Sequence, residues 1–160
     1  MEQIDRFSRQ SRIAYFSMEI ALRPDVPTYA GGLGVLAGDT VVAVGRRILP
    51  KVEDEPTARR CLELVSGRRH RVLSAVALLG PDGTLRQRLS ETAVRFKRLS
   101  GEEISAYLDG GEWHGKAGGY AIQGSAEGLI AWISGSHSGV VGLPLFETRA
   151  LLKSAGFRLG

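Results

Sequence analysis

The sequence has little cysteine and no long apolar run. Its one cysteine, Cys61, excludes an internal disulfide bond, which fits a reducing compartment. The longest mostly apolar stretch, residues 72–79, is too short to span a bilayer. Residues 1–6 lack the apolar core of a secretory signal peptide. We therefore expect a soluble, cytoplasmic protein with no membrane partner.

Several common catalytic sets are also missing. The three histidines, His70, His114 and His137, have no metal-ligand spacing, so we expect them to be structural or exposed. One cysteine cannot build a Cys-based zinc site. Ser17 and Ser74 lack the strand–turn–helix context of a nucleophile elbow. These absences direct attention to carboxylates, lysines and glycine-rich loops.

The sequence carries a modest excess of positive charge. The formal net charge is +4, and most basic residues are arginines, clustered at 46–47, 59–60 and 68–71. Such clusters indicate either attraction to polyanions or ordinary solvated faces. No aromatic residues are interleaved with them and no nucleic-acid motif is present, which favours solvated faces. We expect no nucleic-acid partner.

The pattern of apolar residues predicts an α/β protein with a mixed sheet and flanking helices. A length of 160 residues is typical of one domain. A turn at 81–83 joins two strands as a hairpin. Predicted strands cover 12–18, 41–45, 71–79, 85–97 and 129–133, and predicted helices cover 53–66, 100–109 and 144–155.

Two helices carry the clearest local signals. The first has acids and Pro56 in its first turn, and Gly67 ends it. Its apolar face has helical spacing and consists of Ala58, Cys61, Leu62 and Val65. The second begins with a capping box formed by Ser100 and Glu103.

The stretch T-Y-A-G-G-L-G-V-L-A-G-D-T-V-V-A-V-G, residues 28–45, changes character at its centre. The glycines at 31–34 predict a loop that opens a short helix, and 41–45 predicts a buried strand. Asp39 then lies at the edge of that strand, either as a capping group or as a functional acid at a cleft. Lys51 follows beyond the other end, in a position typical of a solvated charge.

A second candidate is W-H-G-K-A-G-G-Y-A-I-Q-G, residues 113–124. Its glycines let the backbone approach a ligand closely, and Lys116 supplies a point charge suited to phosphate. Gln123 offers both a donor and an acceptor, as needed to read the edge of a base. The alternative is a glycine-rich turn with an incidental lysine, and the pattern favours the functional reading.

From Asp39 onward the chain resembles the Maf family of nucleoside triphosphate pyrophosphatases. The matching stretches are D-T-V-V-A-V-G-R-R-I-L-P-K (39–51), L-V-S-G-R-R-H-R-V-L (64–73), R-F-K-R-L-S-G-E-E-I-S-A-Y (95–107), G-K-A-G-G-Y-A-I-Q-G (115–124) and S-G-V-V-G-L-P-L-F-E-T (138–148). They occur in the family's order. The details look most like the branch that hydrolyses dTTP and UTP.

The resemblance implies a Maf/ITPase-like fold, a homodimer and hydrolysis of a triphosphate to a monophosphate and pyrophosphate. It implies that Asp39 is the catalytic carboxylate and holds a divalent cation, Mg²⁺ or Mn²⁺. It also implies that Lys51, Lys116 and Gln123 bind the substrate. A rival interpretation is a catalytically silent nucleotide-binding or chimeric scaffold domain, and an unstable fragment is a third.

The first part of the chain resembles a different family. R-I-A-Y-F-S-M-E-I-A-L (12–22) and T-Y-A-G-G-L-G-V-L-A-G-D (28–39) look like the amino-terminal segment of bacterial α-glucan phosphorylases. This predicts a phosphorylase-like strand and glycine-rich loop in residues 1–38, followed by a Maf-like domain in 39–160. In the Maf family, the arginines of an S-x-x-R-R motif bind phosphates. This motif is not found in the sequence, so we expect reduced activity.

Overall fold

The computed structural model describes residues 14–17, 35–80 and 83–157, with backbone only for 14–17 and 35–38. A short 3₁₀ helix, Ser125–Leu129, accompanies the main elements. In chain order these are β1 (Ala14–Ser17), β2 (Val35–Val44), β3 (Arg47–Leu49), α1 (Glu55–Val65), β4 (Arg69–Leu79), β5 (Leu85–Phe96), α2 (Gly101–Asp109), β6 (Ile130–Ser134), α3 (His137–Val141) and α4 (Leu145–Ser154).

The strands form one mixed sheet with helices packed against it, which confirms the predicted fold class. The order is β1-β2-β4-β5-β6, and β3 pairs with β2. β1 runs parallel to β2, whereas the other pairs are antiparallel. No helix in the described part of the chain is long and apolar enough to cross a membrane.

One edge of β2 has a gap between its two short partners. β4 pairs along one edge of β2, from Val35 to Ala43. On the opposite edge, β1 pairs with β2 as far as Gly38, and β3 pairs with it only from Val42. Residues 39–41 therefore lie where no described strand covers that edge.

The prediction for the centre of the 28–45 stretch was wrong in one respect. Residues 35–38 belong to the same strand as the valines that follow, and they do not start a helix. Asp39 consequently lies inside β2 and not at its end. The reason is nonlocal, because β4 supplies backbone partners along almost the whole of β2. Gly31, Gly32 and Gly34 lie outside the described residues, and the division of the chain at residue 38 stays a prediction.

Both helices with clear sequence signals form as predicted. The carboxylate of Asp54 caps α1 by accepting a hydrogen bond from the Thr57 N–H at 2.8 Å. The capping box of α2 is complete, with the Ser100 N–H donating to Glu103 and the Glu103 N–H donating back to the Ser100 hydroxyl. The predicted apolar face of α1 is buried and consists of Ala58, Cys61, Leu62 and Val65.

The core lies on one face of the sheet, because β4 alternates between buried and half-exposed residues. Val72, Val76 and Leu78 are buried apolar residues on that face, and the polar residues His70 and Ser74 are buried beside them. Two polar residues among apolar ones need hydrogen-bond partners, because an unpaired buried polar group costs about 1–3 kcal/mol. The groups that form hydrogen bonds with His70 and Ser74 lie at or beside the candidate functional site.

The end of the chain contains a helix that the sequence did not predict. Residues 134–139 lie outside the predicted strands and helices, whereas α3 begins at His137. The Ser136 hydroxyl caps α3 by accepting a bond from the Gly139 N–H at 2.9 Å. Pro144 lies just before α4 and not in its first turn. A helix as short as α3 has too few residues for a periodic pattern, so its cap is the main local signal.

Candidate functional site

A cleft of about 230 Å³ opens at the gap in the edge of β2. Residues from four places in the chain line it: β2, the segment after β3, the glycine-rich segment after α2, and the end of α3. Among the lining residues are all four that the sequence singled out, Asp39, Lys51, Lys116 and Gln123. Residues more than 80 positions apart in the chain therefore meet at one cleft.

We call Asp39 and Thr40 the strand wall of the cleft. One carboxylate oxygen of Asp39, Oδ1, accepts a hydrogen bond from the Thr40 N–H at 2.8 Å. Successive residues of a strand point to opposite faces, yet both of these border the cleft. This is possible because they lie in the uncovered part of the β2 edge, where a ligand can approach from the side of the sheet.

We call Lys51 together with residues 115–123 the loop wall. Backbone hydrogen bonds join its two segments, from the Gly115 N–H to the Val52 carbonyl at 2.7 Å and from the Val52 N–H to the Lys116 carbonyl at 3.1 Å. Lys51 and Ala117 form a further antiparallel bridge. These contacts hold Lys51 and Lys116 on the same side of the cleft.

Gly118 lets the loop wall pack tightly against β2, and Gly119 lies against Val52 and α1. Gly118 has a φ of +73°, and a Cβ there would lie 3.0 Å from Cγ1 of Val42. Gly119 has a φ of +71°, and its Cβ would lie 3.4 Å from Cγ2 of Val52. A positive φ favours glycine at both positions, and Gly118 also leaves little room for a side chain. The G-K-A-G-G spacing therefore has a structural basis that the sequence alone did not show.

Tyr120, the next residue of the loop wall, is anchored in the core by His70. The His70 Nε2 lies 2.7 Å from the Tyr120 hydroxyl oxygen, and the ring of Phe96 lies 5.0 Å from that of Tyr120. Burial lowers the pKa of His70 to about 4 and raises the pKa of Tyr120 above its usual value. His70 is thus neutral at pH 7 and structural, as predicted. His114 and His137 are exposed.

The charges that line the cleft suit an anionic ligand. Lys51 and Lys116 contribute two ammonium groups, and Asp39 contributes one carboxylate. Both lysines are exposed, whereas Asp39 is half-buried. Two point charges close to glycine-rich backbone are well suited to phosphate. The arrangement can therefore bind a polyphosphate while keeping one carboxylate beside it.

The donor set fits a divalent cation only if the ligand brings donors of its own. No group of three or more His, Cys, Asp or Glu within the described ranges is placed to hold a metal. Mg²⁺, however, is commonly bound through one or two carboxylates plus substrate phosphates. Asp39 supplies one such carboxylate, so the cleft fits a cation that binds together with a phosphorylated ligand.

Sequence reasoning missed three parts of the cleft. Thr40 and Tyr120 are inside the motifs but were not singled out, and the end of α3 contributes residues 140–142. The position of Thr40 directly after Asp39 was the one signal in the sequence that could have placed it at the cleft. The contribution of α3 depends on how the helix packs against β4 and β5, and no local pattern indicates that packing.

These features define an α/β protein with a cleft whose lining charges suit an anionic ligand. A family model described as "Maf-like protein" matches residues 8–155. The chain belongs to this family. Because the match begins at residue 8, it includes both stretches that resemble α-glucan phosphorylases, and it gives that second resemblance no support.

Individual relatives agree with the family match. The chain is 76% identical over 127 residues to a dTTP/UTP pyrophosphatase of Novosphingobium aromaticivorans, covering 79% of this chain and 63% of the relative. It is 63% identical over 129 residues to a dTTP/UTP pyrophosphatase of Rhodospirillum rubrum, covering 81% and 61%. A dTTP/UTP pyrophosphatase of Rhodopseudomonas palustris is 53% identical over 148 residues, covering 92% and 72%. The chain thus spans about three fifths of the length of the first two relatives.

Proposed function

We propose that the protein is a nucleoside triphosphate pyrophosphatase that acts on dTTP and UTP. The observation that carries the proposal is the meeting of Asp39, Lys51, Lys116 and Gln123 at one cleft. The relatives named dTTP/UTP pyrophosphatase support the choice of nucleotides. In the reaction, a water oxygen bonds to the α-phosphorus, the bond to the oxygen bridging the α- and β-phosphorus breaks, and pyrophosphate leaves.

Asp39 is the proposed catalytic residue. Its Oδ1 is held by the Thr40 N–H. The carboxylate orients the attacking water and takes up its proton as the new bond forms, a role that contributes about 10²–10⁴-fold in enzymes. Lys51 and Lys116 bind phosphate oxygens, and Gln123 contacts the edge of the base.

A divalent cation, Mg²⁺ or Mn²⁺, completes the proposed site. Asp39 and the phosphate oxygens would hold it, and when bound it neutralises negative charge on the phosphates. The lysines contribute to the same neutralisation from the loop wall. Because both lysines are exposed, nucleotide affinity is expected to fall as salt rises, with screening over about 8–10 Å at moderate ionic strength.

We further propose that turnover is slower than in a chain with the S-x-x-R-R motif. An arginine pair on the phosphates is worth several kcal/mol of transition-state stabilisation, or about 10²–10⁴-fold in rate. Replacing residues 1–38 with the corresponding part of a longer relative is expected to raise pyrophosphate release. Equal, high rates in both proteins would show that residues 1–38 supply equivalent groups.

A nucleotide panel tests the function directly. Pyrophosphate release is measured from dTTP, UTP, dCTP, dATP and GTP, each with Mg²⁺ or Mn²⁺. We expect the wild type to release pyrophosphate from dTTP and UTP. We expect Lys116→Ala to lose phosphate binding. Lys153→Ala is the matched control, because Lys153 is exposed on α4 and does not line the cleft. Binding without release from any nucleotide would instead support the silent binding domain.

A further inference from the structure

Gln123 lies in a tight turn at the end of the loop wall. The Gly124 N–H donates to the Ala121 carbonyl at 3.0 Å, which closes the turn around Ile122 and Gln123. Ile122 is 3% exposed, whereas Gln123 is exposed and lines the cleft. The direction of the Gln123 side chain therefore depends on how this turn is fixed.

Two side chains hold the flanks of the turn. Before Gln123, the Tyr107 hydroxyl accepts a hydrogen bond from the Ala121 N–H at 3.1 Å. After Gln123, Oε2 of Glu112 accepts two bonds from Ser125, from its N–H at 2.8 Å and from its hydroxyl at 3.1 Å. Tyr107 is buried and Glu112 is exposed, and neither of them lines the cleft. Both can therefore act on a ligand through the turn.

Glu112 supplies a cap that the backbone lacks. The 3₁₀ helix Ser125–Leu129 begins directly after Gly124, which has no side chain to accept the Ser125 N–H. The Glu112 carboxylate accepts that N–H from across the loop. Hydrogen bonds to an ionised acceptor are about twice as strong as those between neutral groups.

Gly124 leaves the space that the Glu112 carboxylate occupies. A Cβ on Gly124 would collide with Oε2 of Glu112 and would lie 2.8 Å from its Cδ. The φ of Gly124 is −112°, which any residue can adopt, so the close approach of the carboxylate explains the glycine. A side chain at this position would displace the end of a flexible side chain and leave the backbone in place.

The backbone on both sides of Glu112 is fixed at the end of α2. The Leu108 carbonyl accepts a bond from the Gly111 N–H at 3.0 Å and another from the indole N–H of Trp113 at 2.8 Å. The carboxylate therefore reaches Ser125 from a defined position.

We propose that Glu112 is a positioning residue for base selection, because its bonds to Ser125 fix the turn from which Gln123 contacts the base. The inference rests on the proposed function, in which Gln123 reads the edge of the base. Hydrogen bonds weaken steeply when their geometry is poor, so a loosened turn should change the preference among bases. A residue that only stabilised the loop would affect all nucleotides alike.

Three variants and a control test the role of the carboxylate. Glu112→Ala removes it, and Glu112→Gln retains an acceptor for the Ser125 N–H. Gly124→Ala displaces the carboxylate without removing it. Glu127→Ala is the control, because Glu127 is exposed on the same 3₁₀ helix and does not line the cleft.

The test measures kcat/KM for dTTP relative to dATP, with calorimetric binding of the α,β-methylene analogues of both. Glu112→Ala and Gly124→Ala are each expected to lower the dTTP preference about 3- to 10-fold, while kcat for dTTP changes less than about 3-fold. Glu112→Gln and Glu127→Ala should keep the preference within about 2-fold, and thermal melting verifies the fold. An unchanged preference in Glu112→Ala, or equal slowing of both nucleotides, would overturn the proposal.

A double variant shows whether Glu112 acts through Gln123. In a Gln123→Ala background, Glu112→Ala is expected to change the preference less than about 2-fold, because residues that act as one unit are not additive. A loss as large as in the wild-type background would overturn the proposal. Binding of the dTTP analogue without turnover would reject the pyrophosphatase function alone, and the binding preference would then test Glu112. Equal affinity of the wild type for both analogues, together with equal turnover, would overturn the inference.

Discussion

The two walls of the cleft are held in place by different kinds of structure. The strand wall is part of β2, so an extended ladder to β4 fixes its backbone. The loop wall has no ladder of comparable length and is fixed by turns, glycines with positive φ and single backbone bonds to residues 50–52. The strand wall therefore depends on the integrity of the sheet, whereas the loop wall depends on a few close contacts.

Chemistry is divided between the walls in the same way. In the proposed mechanism, the strand wall carries the carboxylate of Asp39, which has to be placed close to the attacking water. In the same mechanism, the loop wall carries the exposed side chains of Lys51, Lys116 and Gln123, which bind the substrate. Changes to the strand wall are therefore expected to lower the rate, and changes to the loop wall are expected to lower affinity or selectivity.

The largest effect should come from the strand wall. Asp39→Asn retains the shape of the side chain but removes its charge and basicity, so pyrophosphate release should fall about 10²–10⁴-fold. The measurement is kcat for dTTP, with thermal melting to verify the fold. Asp109→Asn is the control, because Asp109 is exposed at the end of α2 and does not line the cleft. Equal rates in the wild type and Asp39→Asn would remove Asp39 from the mechanism.

His70, which anchors the loop wall through Tyr120, should make the free energy of unfolding depend on pH. Burial lowers the pKa of His70 from 6.5 to about 4, so the unfolded chain binds a proton there at a higher pH than the folded one. The contribution of His70 to the free energy of unfolding is therefore fully present above pH 6.5. It is lost as the pH falls toward 4, and the loss is about 3 kcal/mol. Urea unfolding at several pH values measures the decline.

His70→Phe supplies the comparison for that pH dependence. The variant lacks the titrating group, so its free energy of unfolding should decline less between pH 6.5 and 4 by about the same 3 kcal/mol. Carboxylates titrate in both proteins and cancel in the difference. Identical slopes in the two proteins would show that His70 does not change its protonation on unfolding in this range.

Gly118→Ala should reveal how closely the loop wall contacts β2. The substitution places a methyl group 3.0 Å from Cγ1 of Val42 at a positive φ, and we expect a loss of about 1–3 kcal/mol in the free energy of unfolding. Gly111→Ala is the matched control, since Gly111 has a φ of +70° but nothing within 4 Å of its Cβ. A similar loss in both variants would attribute the effect to backbone strain alone.

The smallest effect should come from the outer part of the loop wall. Gln123 is exposed, and Gln123→Ala should reduce the preference for pyrimidine over purine triphosphates about 10-fold while slowing dTTP hydrolysis less. The ratio of kcat/KM for dTTP to that for dATP measures the preference. If all nucleotides are slowed equally, Gln123 contacts the phosphates or supports the loop instead.

Much of the loop wall could be predicted from the sequence, and less of the strand wall. The G-K-A-G-G-Y-A-I-Q-G motif indicated a ligand-binding loop because glycines, a lysine and a glutamine are informative at short range. The capping signals of α1 and α2 were informative for the same reason. The extent of β2 depends on backbone partners in β1 and β4, so local patterns placed Asp39 at a strand end when it lies inside the strand.

The hydrogen bonds that link the Thr40 hydroxyl, the Ser74 hydroxyl and the Gly139 carbonyl show the same limit more clearly. The three groups are separated by tens of residues in the chain, and Ser74 has the neighbours of an ordinary core strand residue. Only the packing of α3 against β4 reveals its acceptor. The sequence identified the charged residues that line the cleft, and the folded structure was needed to show that the Thr40 N–H contacts the Asp39 carboxylate.

Product analysis in ¹⁸O-labelled water tests the central claim most directly. Wild-type protein is incubated with dTTP and Mg²⁺, and the products are identified by ³¹P NMR and mass spectrometry. Water attack at the α-phosphorus predicts equal amounts of dTMP and pyrophosphate, with the label in dTMP. Release of inorganic phosphate as the first product, or label in the pyrophosphate, would contradict a cleft in which Asp39 directs water to the α-phosphorus.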